Sequence, residues 1–132
     1  MCKLAVIDDN PLEHFIIQKI LSNYGLFPDR IHLSDARQLL PLLGNSLTDF
    51  SMLPDVIFLD LNMPEFSGWD FLKQLSSIYD LINKPLDVFI LSSSINDEDL
   101  VRSRSYPFVK DFLNKPVQIE TLKNLHSSYI AA

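Results

Sequence analysis

The sequence predicts an α/β fold with one doubly wound parallel sheet that carries helices on both faces. Short aliphatic runs alternate with amphipathic segments along the chain, and the strongest runs, at residues 4–7, 56–59 and 88–91, contain no polar residue. Uninterrupted apolar runs of this length are typical of strands buried on both faces of a parallel sheet. Five strand-like runs alternating with five helical segments predict a single domain over residues 1–132.

The first two strands should each be followed by a helix. The run at residues 4–7 ends in acidic residues, and Asn10 is a suitable N-cap for an amphipathic helix that should end at Gly25. Residues 31–33 form a weaker strand-like run. A short helix over residues 36–40 is expected after it.

The strongest strand lies in the middle of the chain. Pro41 should break or kink the preceding helix, and residues 44–54 fit either a loop or an irregular helix. The run at residues 56–59 then leads directly to Asp60. A third amphipathic helix should begin around Ser67.

Two more strands complete the predicted sheet. The apolar run at residues 88–91 ends in three serines, and Asn96 or Asp97 can cap the short polar helix that follows. Residues 109–113 form the fifth strand-like run, and a last amphipathic helix follows it.

The overall composition argues against several classes of function. Hydrophobic residues make up 47% and charged residues 21% of the chain, as is ordinary for a globular domain. A net charge of −6 argues against partners such as nucleic acid or an anionic membrane surface, and no apolar run is long enough to span a membrane. Cys2 is the single cysteine, so we expect a reducing, cytoplasmic location. His14, His32 and His126 show no metal-ligand spacing, so no zinc site is expected.

Polar side chains stand where the predicted strands end. Asp8 and Asp9 follow the first strand, Asp60 the third, Ser92 the fourth and Lys115 the fifth. These groups are expected to lie together, because ligands of such sheets bind beyond the carboxyl ends of the strands. Three carboxylates, a hydroxyl and an ammonium suit Mg²⁺ beside a phosphoryl group, since Mg²⁺ prefers oxygen ligands. Without the ion the carboxylates should repel one another, which raises at least one pKa.

Four motifs coincide with these strand ends: Val6-Ile7-Asp8-Asp9-Asn10, Phe58-Leu59-Asp60-Leu61-Asn62-Met63-Pro64 with Gly68, Ile90-Leu91-Ser92-Ser93-Ser94, and Phe112-Leu113-Asn114-Lys115-Pro116. Together they resemble the receiver domains of response regulators in two-component signalling. The resemblance extends over nearly the whole chain. It implies a flavodoxin-like sheet with strand order 2-1-3-4-5.

The resemblance also implies a role for each group near the carboxylates. Asp60 would accept a phosphoryl group. Asp9 would bind Mg²⁺ directly and Asp8 partly through water, with Asp60 and the backbone carbonyl of Asn62 completing the protein ligands. Ser92 would donate a hydrogen bond to the phosphorylated aspartate.

Further expectations concern the switch and the partners. Lys115 would pair with another phosphate oxygen, and its peptide bond to Pro116 would be cis. Ser92 and Phe112, which stand where Thr and Tyr are frequent in the family, would relay phosphorylation to a surface that another protein binds. The implied partners are a histidine kinase or phosphotransfer protein and a downstream protein. No output domain is expected, nor any catalysis beyond the domain's own phosphorylation and dephosphorylation.

Three other functions fit parts of the pattern. A haloacid-dehalogenase-like phosphatase would use Asp60 as its nucleophile, but it needs an acid two residues later, where this chain has Asn62. A flavin-binding electron carrier would need a phosphate-binding loop after the first strand, where Asp8 and Asp9 would repel the phosphate. The third alternative is a structural domain with an inert acidic pocket. Metal titration followed by Trp69 fluorescence would distinguish such a pocket from a metal-binding site.

Overall fold

The computed structural model describes residues 2–41, 53–82 and 84–130, which form five strands and four α-helices. The strands are β1 (Lys3–Ile7), β2 (Asp29–Leu33), β3 (Val56–Asp60), β4 (Asp87–Ser92) and β5 (Val109–Asn114). The helices are α1 (Pro11–Asn23), α2 (Gly68–Ile78), α3 (Asp97–Ser103) and α4 (Ile119–Ile130).

All five strands form one parallel sheet in the order β2-β1-β3-β4-β5, which confirms the expected topology. The strand order reverses at β1, which pairs with β2 on one side and with β3 on the other. Sheets of this kind bind ligands at such a reversal, beyond the carboxyl ends of the strands. The edge strands are β2 and β5, and charged residues are exposed on both: Asp29 on β2, and Lys110 and Asp111 on β5.

Short polar side chains set the ends of the helices. Asn10, Ser67 and Asn96 cap α1, α2 and α3, and each accepts a hydrogen bond from a backbone N–H in the first turn. The Asp70 carboxylate in turn accepts the backbone N–H of Ser67, which completes a capping box. Beyond the end of α1, Gly25 has φ +63°, a conformation that glycine adopts without strain.

Two apolar layers cover the sheet, one on each face. On one face Leu21 of α1 and Leu122 of α4 belong to the same buried cluster as Phe58. On the other face Leu72 of α2 belongs to a cluster with Leu59. Neighbouring residues of β3 therefore point into opposite layers, and the strand is buried on both sides. Its last residue, Asp60, is buried as well.

The segment after β2 differs from the prediction. The described part of the helix expected over residues 36–40 begins with a 3₁₀ turn at Ala36–Gln38, whose start is capped by Asp35. The residues that would show a kink after Pro41, and most of residues 44–54, lie outside the described residues. Among the helices of the described residues, none is long and apolar enough to cross a membrane.

Candidate functional site

The ends of β1 and β3 bring three carboxylates together. Asp8 and Asp9 follow β1 and Asp60 ends β3, and one carboxylate oxygen of each lies within 4.8 Å of the others. Asp8 and Asp60 are buried, whereas Asp9 is exposed. Backbone N–H groups hold the buried pair, since Asn10 donates to Asp8 at 2.9 Å and Asn62 donates to Asp60 at 3.2 Å. This donor set fits a hard divalent cation such as Mg²⁺.

Lys115 brings a positive charge to the carboxylates. Its Nζ lies 2.7 Å from Oδ2 of Asp8 and 3.4 Å from Oδ1 of Asp60, and its side chain is 13% exposed. The backbone N–H of Lys115 donates to the carbonyl of Ser92 at 2.9 Å. The Lys115–Pro116 peptide bond is cis, as expected. Lys115 thus connects the ends of β4 and β5 to the carboxylates of β1 and β3.

The loop after Asp60 packs closely against the start of α2. Gly68 is buried at the first position of α2 and donates its N–H to the carbonyl of Leu61 at 3.0 Å. A Cβ atom on Gly68 would lie 2.5 Å from the carbonyl oxygen of Asp60 and 2.8 Å from the Cα of Leu61. A larger residue would push this backbone away, so Gly68 helps to fix the Asp60 carboxylate.

Burial and neighbouring charges change the acidity of two groups. Burial and the negative charge of Asp8 raise the pKa of Asp60, and Lys115 offsets this only in part. The direction of this shift agrees with the expected raised carboxyl pKa, although burial contributes more than the repulsion from Asp8. Burial lowers the pKa of Lys115, but its contacts with Asp8 and Asp60 outweigh burial and leave that pKa raised. A bound cation would relieve the repulsion between the carboxylates.

Ser92 and Phe112 lie on the β4 and β5 side of the carboxylates. Ser92 is buried at the end of β4, where its hydroxyl donates to the carbonyl of Ser94 at 2.9 Å and accepts the N–H of Ser94 at 3.2 Å. Phe112 is half buried in β5 and lines a surface groove with Leu100 and Tyr106. The Ser92 hydroxyl is thus held within its own loop, and Phe112 borders the groove between α3 and β5.

Comparison with known proteins gives the family. A model of the response regulator receiver domain family matches residues 4–126. The chain belongs to this family. The receiver domain is 26% identical over 128 residues to the two-component response regulator ORR1 of Oryza sativa subsp. japonica. That match covers 95% of this chain and 54% of ORR1, so the chain spans about half the length of this relative.

Solved structures share the fold of this receiver domain. A two component response regulator from Cytophaga hutchinsonii matches with a TM-score of 0.84 and 21% identity, over 100% of this chain and 98% of that chain. The receiver domain of the sensor histidine kinase PA1611 from Pseudomonas aeruginosa was solved with a magnesium ion coordinated in its active site cleft. It matches with a TM-score of 0.74 and 16% identity, over 99% of this chain and 98% of that chain. At these identities the likeness concerns the fold.

Two contacts around the receiver site were not predicted from the sequence. Nε2 of His14, in the first turn of α1, lies 2.5 Å from the carbonyl oxygen of Asp8. Arg37 forms ion pairs with Asp35 and Glu65, which tie the loop after β3 to the turn after β2. The Arg37–Glu65 pair has no sequence signal, because its partners come from separate elements of the fold.

Proposed function

We propose that this receiver domain accepts a phosphoryl group on Asp60 from a histidine kinase or a phosphotransfer protein, and that the modified domain binds a downstream protein. The observation that supports this most is the grouping of three carboxylates, from Asp8, Asp9 and Asp60, with the ammonium of Lys115. Phosphoryl transfer needs positioning and charge neutralisation more than covalent machinery. This group of side chains offers both.

Mg²⁺ is the cation that we propose for this site. Asp9 would bind it directly because its carboxylate is exposed, whereas Asp8 is already paired with Lys115. Asp60 and the backbone carbonyl of Asn62 would complete the protein ligands. When bound, Mg²⁺ neutralises charge on the phosphoryl oxygens. The magnesium ion in the cleft of the PA1611 receiver domain supports this choice of ion.

The reacting atom in this proposal is a carboxylate oxygen of Asp60. It forms a bond to phosphorus while the bond from phosphorus to the donor breaks, and the electron pair leaves with the donor. Lys115, 3.4 Å from Asp60, is placed to pair with one phosphoryl oxygen. The Ser92 hydroxyl can donate a hydrogen bond to a second phosphoryl oxygen once its hydrogen bond to the carbonyl of Ser94 is broken. Ser93 is small and exposed, which leaves room for the donor.

The output in this proposal depends on Ser92 and Phe112. When the Ser92 hydroxyl moves from Ser94 toward the phosphate, the space behind it opens and Phe112 rotates inward, which changes the groove between α3 and β5. Phe112 has no hydroxyl to anchor an outward position, so its two positions should differ little in free energy and phosphorylation should shift their populations. NMR shifts with and without beryllofluoride test this step. Chemical-shift changes confined to the residues around the carboxylates, with the signals of Phe112 unchanged, would contradict the rotation of Phe112.

Intact-mass spectrometry with a small-molecule phosphodonor tests the phosphoacceptor. With Mg²⁺ the wild type should gain one phosphoryl group, EDTA should abolish the gain, and Asp60→Asn should gain none. Asp111→Asn changes an exposed aspartate of β5 and is the matched control, which should be labelled like the wild type. Full labelling of Asp60→Asn would show that Asp60 is not the acceptor.

A further inference from the structure

One backbone carbonyl beside the carboxylates has its hydrogen-bond donor outside the sheet. Asp8 follows β1 and is fully buried, and its N–H donates to the carbonyl of Leu33 at 3.1 Å. In a regular parallel ladder the N–H of Asp35 would then donate to the carbonyl of Asp8. That N–H instead donates to the side chain of Gln38 at 3.2 Å. The buried carbonyl of Asp8 therefore needs a donor from another element, because an unpaired buried polar group is costly.

His14 provides this donor. It lies in the first turn of α1, and its Nε2 is 2.5 Å from the carbonyl oxygen of Asp8. A carbonyl oxygen can only accept, so Nε2 of His14 carries the hydrogen of this bond. The N–H of Asn10, the N-cap of α1, also donates to the Asp8 carboxylate at 2.9 Å. Asp8 is thus bound to the start of α1 through both its main chain and its side chain.

Hydrogen bonds from β2 fix the ring of His14. Its Nδ1 lies 3.0 Å from Nδ1 of His32, a distance that fits a single N–H···N hydrogen bond. Nε2 of His32 lies 2.8 Å from Oε1 of Gln18, which also accepts the Nε–H of Arg30 at 2.8 Å, so Nε2 of His32 donates. All four ring nitrogens are satisfied when the two Nδ1 atoms share one proton. The ring that donates to Asp8 is therefore held from its opposite edge as well.

The bond from His14 to Asp8 restrains the residue that follows. Asp9 is exposed, so the position of its carboxylate depends mainly on the backbone to which it is attached. The peptide that leads into Asp9 begins with the carbonyl of Asp8, which His14 holds. Rotation of that peptide would turn the Asp9 carboxylate away from the carboxylate of Asp60, and their nearest ligand oxygens now lie within 4.8 Å of each other. Hydrogen bonds behind metal-binding groups commonly orient them in this way.

We propose that His14 is a positioning residue for Mg²⁺ binding, whose Nε2–H holds the Asp8–Asp9 peptide so that the Asp9 carboxylate faces Asp60 before the ion arrives. This inference rests on the proposed function, in which Asp9 and Asp60 bind Mg²⁺. His14 does not contact the ion, because its Nε2–H donates to the carbonyl and its Nδ1 faces His32. His32 acts through His14 by holding its ring. Loss of the bond to the carbonyl frees the peptide to rotate and lowers the affinity for Mg²⁺.

Two amide variants of His14 separate this hydrogen bond from the rest of the side chain. Glutamine can place its amide N–H where the Nε2–H of the histidine lies, whereas asparagine carries the same amide one methylene short. In calorimetric titration of the full chain, His14→Gln should bind Mg²⁺ like the wild type. His14→Asn should bind it about tenfold more weakly or worse, because loss of an outer-shell partner costs about 10–100-fold. Both variants remove the ring and its shared proton, so they are matched in charge. His126→Asn changes a half-buried histidine that packs against Phe27, and it should bind like the wild type.

The metal-free chain provides a second readout. In EDTA, the NMR signal of the Asp8 carbonyl carbon should move in His14→Asn and stay in place in His14→Gln. Circular dichroism shows whether each variant folds. His32→Leu alone should weaken Mg²⁺ binding, because it frees the ring of His14, and this variant tests the proposal even if His14→Asn does not fold. Added to His14→Asn, it should cost no further affinity, because His32 acts through His14.

Several results would overturn the proposal. These are a His14→Asn or His32→Leu variant that binds Mg²⁺ like the wild type, a His14→Gln variant that loses as much affinity as His14→Asn, or a wild type that binds no Mg²⁺. Failure of the proposed function is a separate outcome. It would appear as a wild type that binds Mg²⁺ in a manner that depends on His14 but gains no phosphoryl group on Asp60.

Discussion

Replacing Lys115 with methionine should destabilise the receiver domain when no divalent cation is present. Nζ of Lys115 lies 2.7 Å from Asp8 and 3.4 Å from Asp60. At an effective dielectric constant of about 20, unit charges at these distances attract by roughly 6 and 5 kcal/mol. Burial of the ammonium offsets much of this gain, and removing one partner of a buried pair typically costs about 3–5 kcal/mol. Because methionine retains most of the aliphatic volume, we expect a loss of about 3 kcal/mol in the free energy of unfolding at pH 7.

The dependence of this loss on pH and Mg²⁺ would identify its cause. Without Lys115 the pKa of Asp60 should rise further, because the ammonium is one of the groups that lower it. A carboxyl group whose pKa is raised by folding destabilises the folded state at a pH above that raised pKa. The loss of stability in Lys115→Met should therefore shrink as the pH falls from the raised pKa of Asp60 toward the pKa of an ordinary aspartate. Mg²⁺ should also bind the variant roughly tenfold more tightly, as removal of about 1.4 kcal/mol of repulsion would give, and saturating Mg²⁺ should therefore reverse about half of the deficit.

Urea unfolding followed by circular dichroism, in EDTA and in saturating Mg²⁺, measures these effects. Lys84→Met is the matched control, because Lys84 pairs with Asp55 at 2.9 Å near the opposite end of the sheet. Its loss of stability should be the same in EDTA and in Mg²⁺. A Lys115→Met variant that is as stable as the wild type in EDTA, or whose deficit Mg²⁺ does not change, would refute the reasoning.

Three further results are expected at the site. Asp9→Asn should weaken Mg²⁺ binding in calorimetry more than Asp8→Asn does, because Asp9 is exposed while Asp8 is paired with Lys115; the reverse order would contradict the ligand assignment. Gly68→Ala should lower the free energy of unfolding by about 1–3 kcal/mol, the usual cost of overpacking, because its Cβ would clash with the backbone of Asp60; an unchanged urea midpoint would disprove the clash. Mg²⁺ affinity should begin to fall at a higher pH than an ordinary aspartate would give, because the pKa of Asp60 is raised and its proton must leave before the ion binds. Calorimetry in buffers of different ionisation enthalpy measures the protons released when Mg²⁺ binds. If no protons are released, Mg²⁺ binding is not coupled to deprotonation of Asp60.

The sheet and the carboxylate group could be predicted because each depends on a simple rule. Residues 56–59 are buried on alternate faces of the sheet, so the run contains no polar residue. Asp8 and Asp60 end neighbouring parallel strands, so they had to meet at one edge. His14 and His32 are 18 residues apart on a helix and a strand, and no sequence spacing could show that their rings meet.

Local backbone paths were the other features that the sequence could not provide. The apolar spacing over residues 36–40 fits a helix, but Asp35 and Gln38 bond to each other's backbone N–H groups, so the segment begins with a 3₁₀ turn and α-helical residues start at Leu40. Likewise, Gly68 matches a family motif, but the need for a residue without Cβ arises only because the loop returns onto the backbone of Asp60. Such requirements depend on the distance between backbone segments, which a linear pattern does not contain.

The charged residues on the edge strands also affect how copies of the domain meet in concentrated solution. An edge strand presents unpaired N–H and C=O groups, to which a strand of another molecule can add. A second copy that approached β5 would have to remove water from Lys110 and Asp111, and one that approached β2 would meet Asp29. The cost of dehydrating these charges disfavours growth into an intermolecular sheet. The charged edges thus act against aggregation and help to keep this strongly apolar sheet as a separate folded unit.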